Sequence, residues 1–337
     1  MKVHSGKVRA LGLCSGGLDS MLAALILRKQ GIEVEWINFE TPFFSSAKAR
    51  QAAHLTKIPI TVKNITSAYL KMLKNPPCGY GKHMNPCLDC HALMFKFAGT
   101  VMKENRFDFL FSGEVLGQRP MSQTKPSLRY VEKHSGFDGY ILRPLSAQRL
   151  PVTIPEKEGL VNRELLLDIA GRSRKAQMKL AKEFGVTDYP APAGGCLLTD
   201  KGYSNRLRDL FDHTENFTEE ELHLLKYGRH FRCDQHTKII VGRTKQDNEN
   251  ILRHYSPAEH IVIELKDLAG PIVLLLTSVF LSKRGCQDII VLAASICAGY
   301  SKAPSNKQID VMVVTPQGQE IIKVIGTPPA DIKHLMI

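Results

Sequence analysis

The sequence predicts an α/β protein in which a doubly wound parallel sheet is followed by a smaller C-terminal α+β module. Over residues 8–145, short apolar segments alternate with amphipathic ones, as strands and helices do in such sheets. A glycine-rich turn, "SGGLDS" at 15–20, directly follows the first apolar segment and opens an amphipathic one. From about residue 201 the alternation stops, which indicates a separate module.

The first region, residues 1–147, is predicted to contain four strands and three helices in alternation. The predicted strands are "VRALGLC", "VEWINFE", "IPITVKNIT" and "FDFLFSGE". The predicted helices are "DSMLAALILRKQG", "SSAKARQAAHLTK" and "HALMFKFAGTVMKENR". Ligands of parallel sheets bind at the carboxyl ends of strands, where the chain order reverses. The turn after the first strand is therefore expected to lie at the functional site.

Two further regions follow. Residues 148–200 are predicted to form a basic helical segment, in which "NRELLLDIAGRSRKAQMKLAKEFG" makes two helices broken at Gly171 and "YPAPAGGC" makes a turn-rich loop ending at Cys196. Residues 201–337 are predicted to combine helices ("NRLRDLF", "EEELHLLKYG"), strands ("TKIIVGRT", "HIVIELK"), a buried helix ("IIVLAASICAGYSKA") and a closing hairpin ("QIDVMVVTP", "QEIIKVIG"). This last region has no evident catalytic constellation of its own.

Composition restricts the class of protein. The 45 Lys and Arg residues outnumber the 33 Asp and Glu residues, giving a net charge of +12, which favours a polyanionic partner but also fits an ordinary basic protein. Apolar runs are too short to cross a bilayer, and the N-terminus does not resemble a signal peptide, so a cytoplasmic location and no membrane partner are expected.

Eight cysteines in such a compartment do not indicate a disulfide framework. Four of them are predicted to be structural: Cys14, Cys233, Cys286 and Cys297.

The turn suits an anion. A glycine-rich turn that opens a helix presents backbone N–H groups in a concave array, and Ser15 and Ser20 add hydroxyl donors. The lysine of the G-x-x-x-x-G-K-[ST] loop is missing, which argues against the usual γ-phosphate cradle. Asp19 would fit a phosphate site if Mg²⁺ shared it. The alternative is an ordinary tight turn with a helix cap.

The turn also carries a family resemblance. "SGGLDS" resembles the PP-loop of the ATP pyrophosphatases, which adenylate a substrate oxygen and release pyrophosphate. The resemblance implies an adenine nucleotide alpha hydrolase-like fold of the HUP type. It also implies that the pyrophosphate end of ATP is bound by Ser15, Gly16, Gly17, Asp19 and Ser20.

Three further segments narrow the resemblance to tRNA thiolases. "MNPCLDCHALMFKFA" resembles a segment of the tRNA 2-thiouridylases, "SGEVLGQRPMSQT" resembles one of the tRNA 4-thiouridine synthetases, and "LRPL" at 142–145 recurs in both. In the last third, "IIVGRTKQDNENIL" and "LAASICAGYSKA" resemble RNA-binding domains of the NFACT-R type. Together these imply an ATP-dependent tRNA sulfurtransferase with an RNA-binding appendage.

Cysteine spacing suggests how sulfur arrives. Cys87 and Cys90 form a C-x-x-C pair, and related thiolases use such a pair with a third cysteine, here Cys196, to hold a [4Fe–4S] cluster whose fourth iron is open. In a second design, a persulfide forms on Cys196 or Cys90 and the partner resolves it as a disulfide. A zinc site would need a fourth ligand, for which His91 is a candidate, and an inert C-x-x-C is the remaining alternative.

Other polar residues of these segments are candidates for the same site. Asp89 is a candidate acid or base, and Lys96 is a candidate for stabilising developing charge or else a solvated lysine. Side chains after the fourth predicted strand are expected to orient ATP or the base: Gly113, Glu114, Gln118, Ser122 and Gln123. Arg119 and Arg143 are candidates for phosphate contact or for surface ion pairs.

The predicted partners are tRNA and a sulfur donor, either sulfide or a carrier protein. The basic stretch 172–184 would contact phosphates, or would be an ordinary solvated helix. A homodimer is left open. Two rival classes remain: a PP-loop enzyme acting on a small molecule by amide formation or sulfur insertion, and a non-catalytic RNA-binding protein with a degenerate ATP site.

Overall fold

The computed structural model describes residues 6–190, 196–277, 283–304 and 306–337. The chain divides into two compact units, Met1–Thr199 and Asp200–Ile337. Most of the predicted loop "YPAPAGGC" and the side chain of Cys286 lie outside the described residues.

The first unit is built on a parallel sheet. Its strands are β1 (Arg9–Leu13), β2 (Glu33–Glu40), β3 (Ile60–Asn64), β4 (Phe109–Ser112) and β5 (Ile141–Leu142). Its helices are α1 (Leu18–Lys29), α2 (Ala47–Thr56), α3 (Thr66–Lys74), α4 (Cys87–Glu104), α5 (Lys125–Ser135), α6 (Ile154–Lys157) and α7 (Lys175–Glu183). The spatial order is β3-β2-β1-β4-β5 with every pair parallel, which confirms the predicted doubly wound sheet.

Strand order places a topological switch point between β1 and β4. From β1 the chain proceeds outward through β2 to β3, and it then crosses back to β4 on the other side of β1. The two central strands are buried on both faces, which explains their nearly continuous apolar character. Helix α1 buries most of its residues against this sheet, and this packing holds the preceding turn in place.

Two predictions about helices are wrong. Helix α4 begins at Cys87 rather than His91, so the C-x-x-C pair forms its first turn. The first half of the predicted helical pair at 162–185 holds only a short 3₁₀ turn, Arg163–Leu165. The residues after that turn are extended, because their backbone N–H groups bond to the segment that follows β5: Leu167 donates to Pro144, and Ile169 donates to Leu145, both at 2.9 Å. Non-local pairing thus overrides the local apolar periodicity.

The second unit contains an antiparallel sheet. Its strands are β6 (Arg229–Arg232), β7 (Thr237–Val241), β8 (Ile261–Leu265), β9 (Val273–Thr277), β10 (Gln308–Thr315) and β11 (Gly318–Ile325), ordered β11-β10-β8-β9-β7-β6. Its helices are α8 (Lys201–His213), α9 (Glu219–Leu224), α10 (Lys245–His254) and α11 (Lys283–Gly299). The predicted closing hairpin is confirmed as β10–β11. Helix α11 packs its buried residues against the sheet, and Cys297 within it is fully buried, as predicted.

None of the helices in the described part of the chain combines the length and apolar character that crossing a membrane requires.

Candidate active site

The glycine-rich turn is fixed by bonds to the neighbouring strand. Cys14, the last residue before it, donates its backbone N–H to the Ile37 carbonyl at 2.9 Å, and its own carbonyl accepts from Asn38 Nδ2 at 2.7 Å. The Cys14 thiol is buried, and this burial raises its pKa to about 11. Cys14 is therefore a packing residue, as predicted, and a poor nucleophile.

Two glycines let backbone segments approach the first turn of α1. Gly16 has φ +73°, and a Cβ atom there would lie 2.3 Å from the backbone carbon of Lys48. A Cβ atom on Gly113, just after β4, would lie 2.4 Å from the backbone of Asp19. The turn is therefore enclosed by α2 on one side and by the end of β4 on the other, at the switch point of the sheet.

The polar groups of the turn include one that is exposed to solvent, Ser15. Ser20 Oγ donates to the Gly17 carbonyl at 2.7 Å, and the Gly17 N–H donates to Ser15 Oγ at 3.3 Å, while Ser15 itself is exposed. Unsatisfied N–H groups at the start of α1 and these hydroxyls suit a phosphate anion.

Asp19 is half-satisfied. Its Oδ2 accepts from Gln118 Nε2 at 2.7 Å, whereas its buried Oδ1 has no hydrogen-bond partner among the described residues. Burial raises the pKa of this carboxyl, and the Gln118 hydrogen bond and the charges of Arg174 and Arg119 act against that rise. A carboxylate oxygen left free beside a phosphate cradle is the donor that Mg²⁺ prefers, so this residue fits the predicted magnesium ion.

Gln177 completes a chain of side chains that the sequence did not reveal. Its Nε2 donates to Gln118 Oε1 at 3.0 Å, so a continuous link runs from α7 through Gln118 to Asp19. Gln177 is fully buried, on the same face of α7 as Ala181. The signal in the sequence that could have identified Gln177 is its position as a polar residue on the inward face of an otherwise basic helix.

The structure brings the three predicted thiols together. Cys87 and Cys90 lie in the first turn of the 18-residue helix α4, whose free N–H groups and dipole favour negative charge on sulfur. Cys196 reaches them because the next residue, Leu197, donates its N–H to the Phe43 carbonyl at 3.1 Å, just beyond β2. The electrostatic interactions of Cys90 with Cys196 and Cys87 place the three thiols in one region of the unit.

Burial makes these thiols hard to ionise on their own. It raises the pKa of Cys196 to about 11 and raises that of Cys90 further. A bound metal would reverse this, because a coordinating thiol loses its proton outright.

The described donor set is not that of a single-ion site. No three His, Cys, Asp or Glu side chains in the described residues converge closely enough to hold one metal ion. In a [4Fe–4S] cluster each cysteine binds a different iron, so the sulfurs stand farther apart than the ligands of one ion. In the zinc alternative His91 would have to bind through Nε2, because its Nδ1 lies 2.9 Å from a carboxylate oxygen of Glu114.

Glu114 is the centre of a buried hydrogen-bond and ion-pair network that includes His91, the residue after Cys90. Its carboxylate contacts Arg143 Nε at 3.0 Å, His91 Nδ1 at 2.9 Å and Ser112 Oγ at 3.1 Å. Burial alone would raise the pKa of Glu114, but the Arg143 charge and the His91 hydrogen bond lower it to about 2. Arg143 is only 2% exposed and also pairs with Glu132, so the prediction that it contacts phosphate is wrong.

The remaining candidates occupy different environments. Asp89 is buried, and its carboxylate accepts from the Tyr130 hydroxyl at 2.8 Å and the Cys78 N–H at 2.9 Å, an arrangement suited to positioning the helix start. Lys96 and Arg119 are exposed, and the charge of Arg119 acts on Asp19. Ser122 and Gln123 are buried in the loop after β4.

The parallel sheet, the "SGGLDS" turn at its switch point and the half-free Asp19 are the features expected of a PP-loop nucleotide site. Residues 4–149 match the family model described as Thiamine biosynthesis protein (ThiI). Residues 228–336 match the family model described as NFACT protein RNA binding domain. These matches confirm the two sequence resemblances, each over its own part of the chain.

Two relatives and one solved structure are similar to parts of this chain. A "Probable tRNA sulfurtransferase" of Oceanobacillus iheyensis is 29% identical over 150 residues, which cover 42% of this chain and 35% of that protein. One of the same name from Finegoldia magna is 30% identical over 148 residues, covering 41% and 36%. The chain thus aligns with about a third of the length of these relatives. A solved 4-thiouridine synthetase–RNA complex with bound ATP is 19% identical, covering 53% of this chain and 52% of that one, with a TM-score of 0.34.

Gly16→Ala should weaken nucleotide binding, because the turn or the start of α2 would have to shift. The added Cβ would strike the Lys48 backbone, and the left-handed φ adds a strain of about 1–2 kcal/mol. We expect ATP affinity, measured by calorimetric titration, to fall at least about tenfold. The matched control is Gly31→Ala, which shares a left-handed φ (+79°) but has no heavy atom within 4 Å of the added Cβ. Equal ATP affinity in both variants would contradict this assignment.

Glu114→Gln should destabilise the first unit in a pH-dependent way. The folded pKa of about 2 lies below the ordinary 4.5, so the carboxylate contributes about 3 kcal/mol above pH 5. This contribution should shrink as the pH falls from about 5 toward 2. Trp36, the only tryptophan, is buried in β2, so its fluorescence during urea unfolding reports on this unit.

The control for this measurement is Glu104→Gln, at the exposed end of α4, which should change unfolding little at either pH. A loss of stability in Glu114→Gln that is the same at pH 7 and pH 3.5 would rule out the ion network as its source.

Proposed function

We propose that this chain is an ATP-dependent sulfurtransferase that replaces a carbonyl oxygen of a tRNA uridine with sulfur. One observation carries the proposal: the nucleotide turn and the three thiols belong to the same carboxyl edge of one parallel sheet. The turn follows β1, Cys196 is pinned beyond β2, and the first turn of α4 is tied through His91 to Glu114, beyond β4. Activation and sulfur delivery can then meet on one substrate.

Activation begins with ATP in the turn. Ser15, Gly16, Gly17 and Ser20 would hold the departing pyrophosphate, and Mg²⁺ bound at Asp19 would neutralise its charge. The uridine carbonyl oxygen attacks the α-phosphorus, and pyrophosphate leaves. The carbon then bears AMP, a far better leaving group than the original oxygen, so that a sulfur nucleophile can displace it. Gln118 orients Asp19, and Arg119 adds positive charge near it.

Sulfur delivery is assigned to Cys87, Cys90 and Cys196. When bound, a [4Fe–4S] cluster on these three thiolates would offer an open iron for hydrosulfide. A persulfide on Cys196 or Cys90, which its partner would resolve as a disulfide, is the alternative route. Asp89 would position the start of α4, and Lys96 would stabilise charge on the departing AMP.

The tRNA would be held by charge next to the nucleotide site. Helix α7 and the residues before it expose a basic face: Arg172, Lys175, Lys179 and Lys182. The same helix contacts the ATP site through Gln177, so phosphate contacts there would bring RNA beside the activated nucleotide. The match of the second unit to an RNA-binding domain supports the same partner. With a tRNA substrate, the enzyme would act in the cytoplasm. Its sulfur would come from sulfide or from a carrier protein.

Nucleoside mass spectrometry of tRNA tests the reaction. A strain lacking this protein should lose one thiolated nucleoside, and the wild-type gene should restore it, as should a Cys233→Ala version. A Cys196→Ala version should fail to restore it. An unchanged nucleoside profile in the deletion strain would contradict the proposal and would favour a small-molecule substrate for the same PP-loop chemistry.

Iron binding tests the route of sulfur. Anaerobic reconstitution with ferrous iron and sulfide should give about four irons per chain. Cys196→Ala should lose the cluster, whereas Cys233→Ala, in the second unit, should keep it. If Cys196→Ala binds iron like the wild type, the three-cysteine assignment fails and the persulfide route takes its place.

A further inference from the structure

The antiparallel sheet of the second unit has two edge strands of opposite character. β6, at one edge, has four residues and an arginine at each end. Residues 336–337 close this edge, because Met336 forms a bridge with Phe231. The Ile337 N–H also donates to the His230 carbonyl at 3.0 Å. β11, at the other edge, has eight residues, and among the described residues only β10 pairs with it.

We propose that β11 is a dimerisation edge, which pairs antiparallel with β11 of a second copy of this chain. Natural proteins shorten, charge or cover the edges of their sheets, because an open edge can pair with another chain. The β6 edge is protected in these ways and the β11 edge is not. Pairing of two copies would join their second units into one continuous sheet.

The free backbone groups of β11 belong to every second residue. A two-residue loop joins β10 to β11, which makes Thr315 and Gly318 a hydrogen-bonded pair. Along the strand, the N–H and C=O groups then alternate between the β10 side and the free side. The residues that direct these groups to the free side are Gln319, Ile321, Lys323 and Ile325.

The same residues form an uncovered face of the sheet. Val324 alternates with them and is buried in the core that α11 forms with the sheet, so their side chains point to the opposite face. On other strands that face is covered by α9 and α10, through Leu224 and Ile251. On β11 it is not covered, since Ile321 is 51% exposed and Ile325 is 53% exposed. Apolar side chains thus flank the free backbone groups, as a pairing strand requires.

Charge selects how the two copies would align. In an antiparallel pair of identical strands, facing residues share one face of the sheet, so the two-fold axis passes through one residue of β11. An axis at Glu320 or at Lys323 would place like charges directly opposite each other, which is destabilising. An axis at Ile322 would place Lys323 against an isoleucine. An axis at Ile321 places this residue against its own copy and Lys323 against Gln319 of the second copy, so it is the self-complementary alignment.

Sedimentation velocity of the full chain tests the inference. The wild type should show a monomer–dimer equilibrium that depends on protein concentration. Ile321→Lys would place two lysines face to face at the axis, so the dissociation constant should rise at least about tenfold. Leu252→Lys is the matched control, because Leu252 is 40% exposed on α10, away from the edge. Its dissociation constant should equal that of the wild type.

A mixing experiment tests the alignment and controls for folding. Ile321→Glu should also weaken the dimer, because two glutamates would then meet at the axis. An equimolar mixture of the Ile321→Lys and Ile321→Glu proteins should restore dimers, since opposite charges would face each other. Such restoration also shows that both variants fold.

Three results would overturn the inference. A wild type that stays monomeric at every concentration would exclude a second copy as the occupant and leave the edge to a strand of another protein. A dimer that withstands both substitutions of Ile321 would place the contact outside β11. Stronger dimerisation of Ile321→Glu alone would exclude an axis at Ile321, because it is the result expected where this position faces Lys323.

Discussion

The placement of the candidate site depends on one buried carboxylate, that of Glu114. It receives Arg143 from the end of β5, His91 from the second turn of α4 and Ser112 from the end of β4. Arg143 continues the network to Glu132 on α5. A buried charge that loses its partner costs several kcal/mol, so the network fixes the positions of these strands and helices relative to one another. Cys90 is adjacent to His91, so the first sulfur pair inherits that geometry.

A second, uncharged link joins the nucleotide turn to α7. Neutral amides are suited to this position, because Gln118 can donate to Asp19 and accept from Gln177 at once. The helix that exposes the basic face is thereby fixed against the turn by its opposite face. Binding of a polyanion on one face and of ATP at the other would act on the same short helix.

The sequence predicted the parallel sheet and the glycine-rich turn, because these depend on local patterns or on a specific motif, whereas a shared site of Cys87, Cys90 and Cys196 stays a prediction. Prediction from the sequence failed where contacts with distant segments determine the local structure or the partners of a side chain. The residues after Arg163 read as helix but are held extended by Pro144 and Leu145. Arg143 was an apparent phosphate ligand until its buried partners were seen. Gln177 belongs to no motif, since its role arises only when α7 packs beside the glycine-rich turn.

The anchoring of Cys196 has a consequence for the biogenesis of the protein. Two thiols are encoded early and lie on a helix that is complete once the first four strands exist, whereas the third arrives only when nearly all of the first unit has been synthesised. During synthesis the pair on α4 therefore precedes its partner, and the Leu197–Phe43 bond forms only when the end of the first unit has been made.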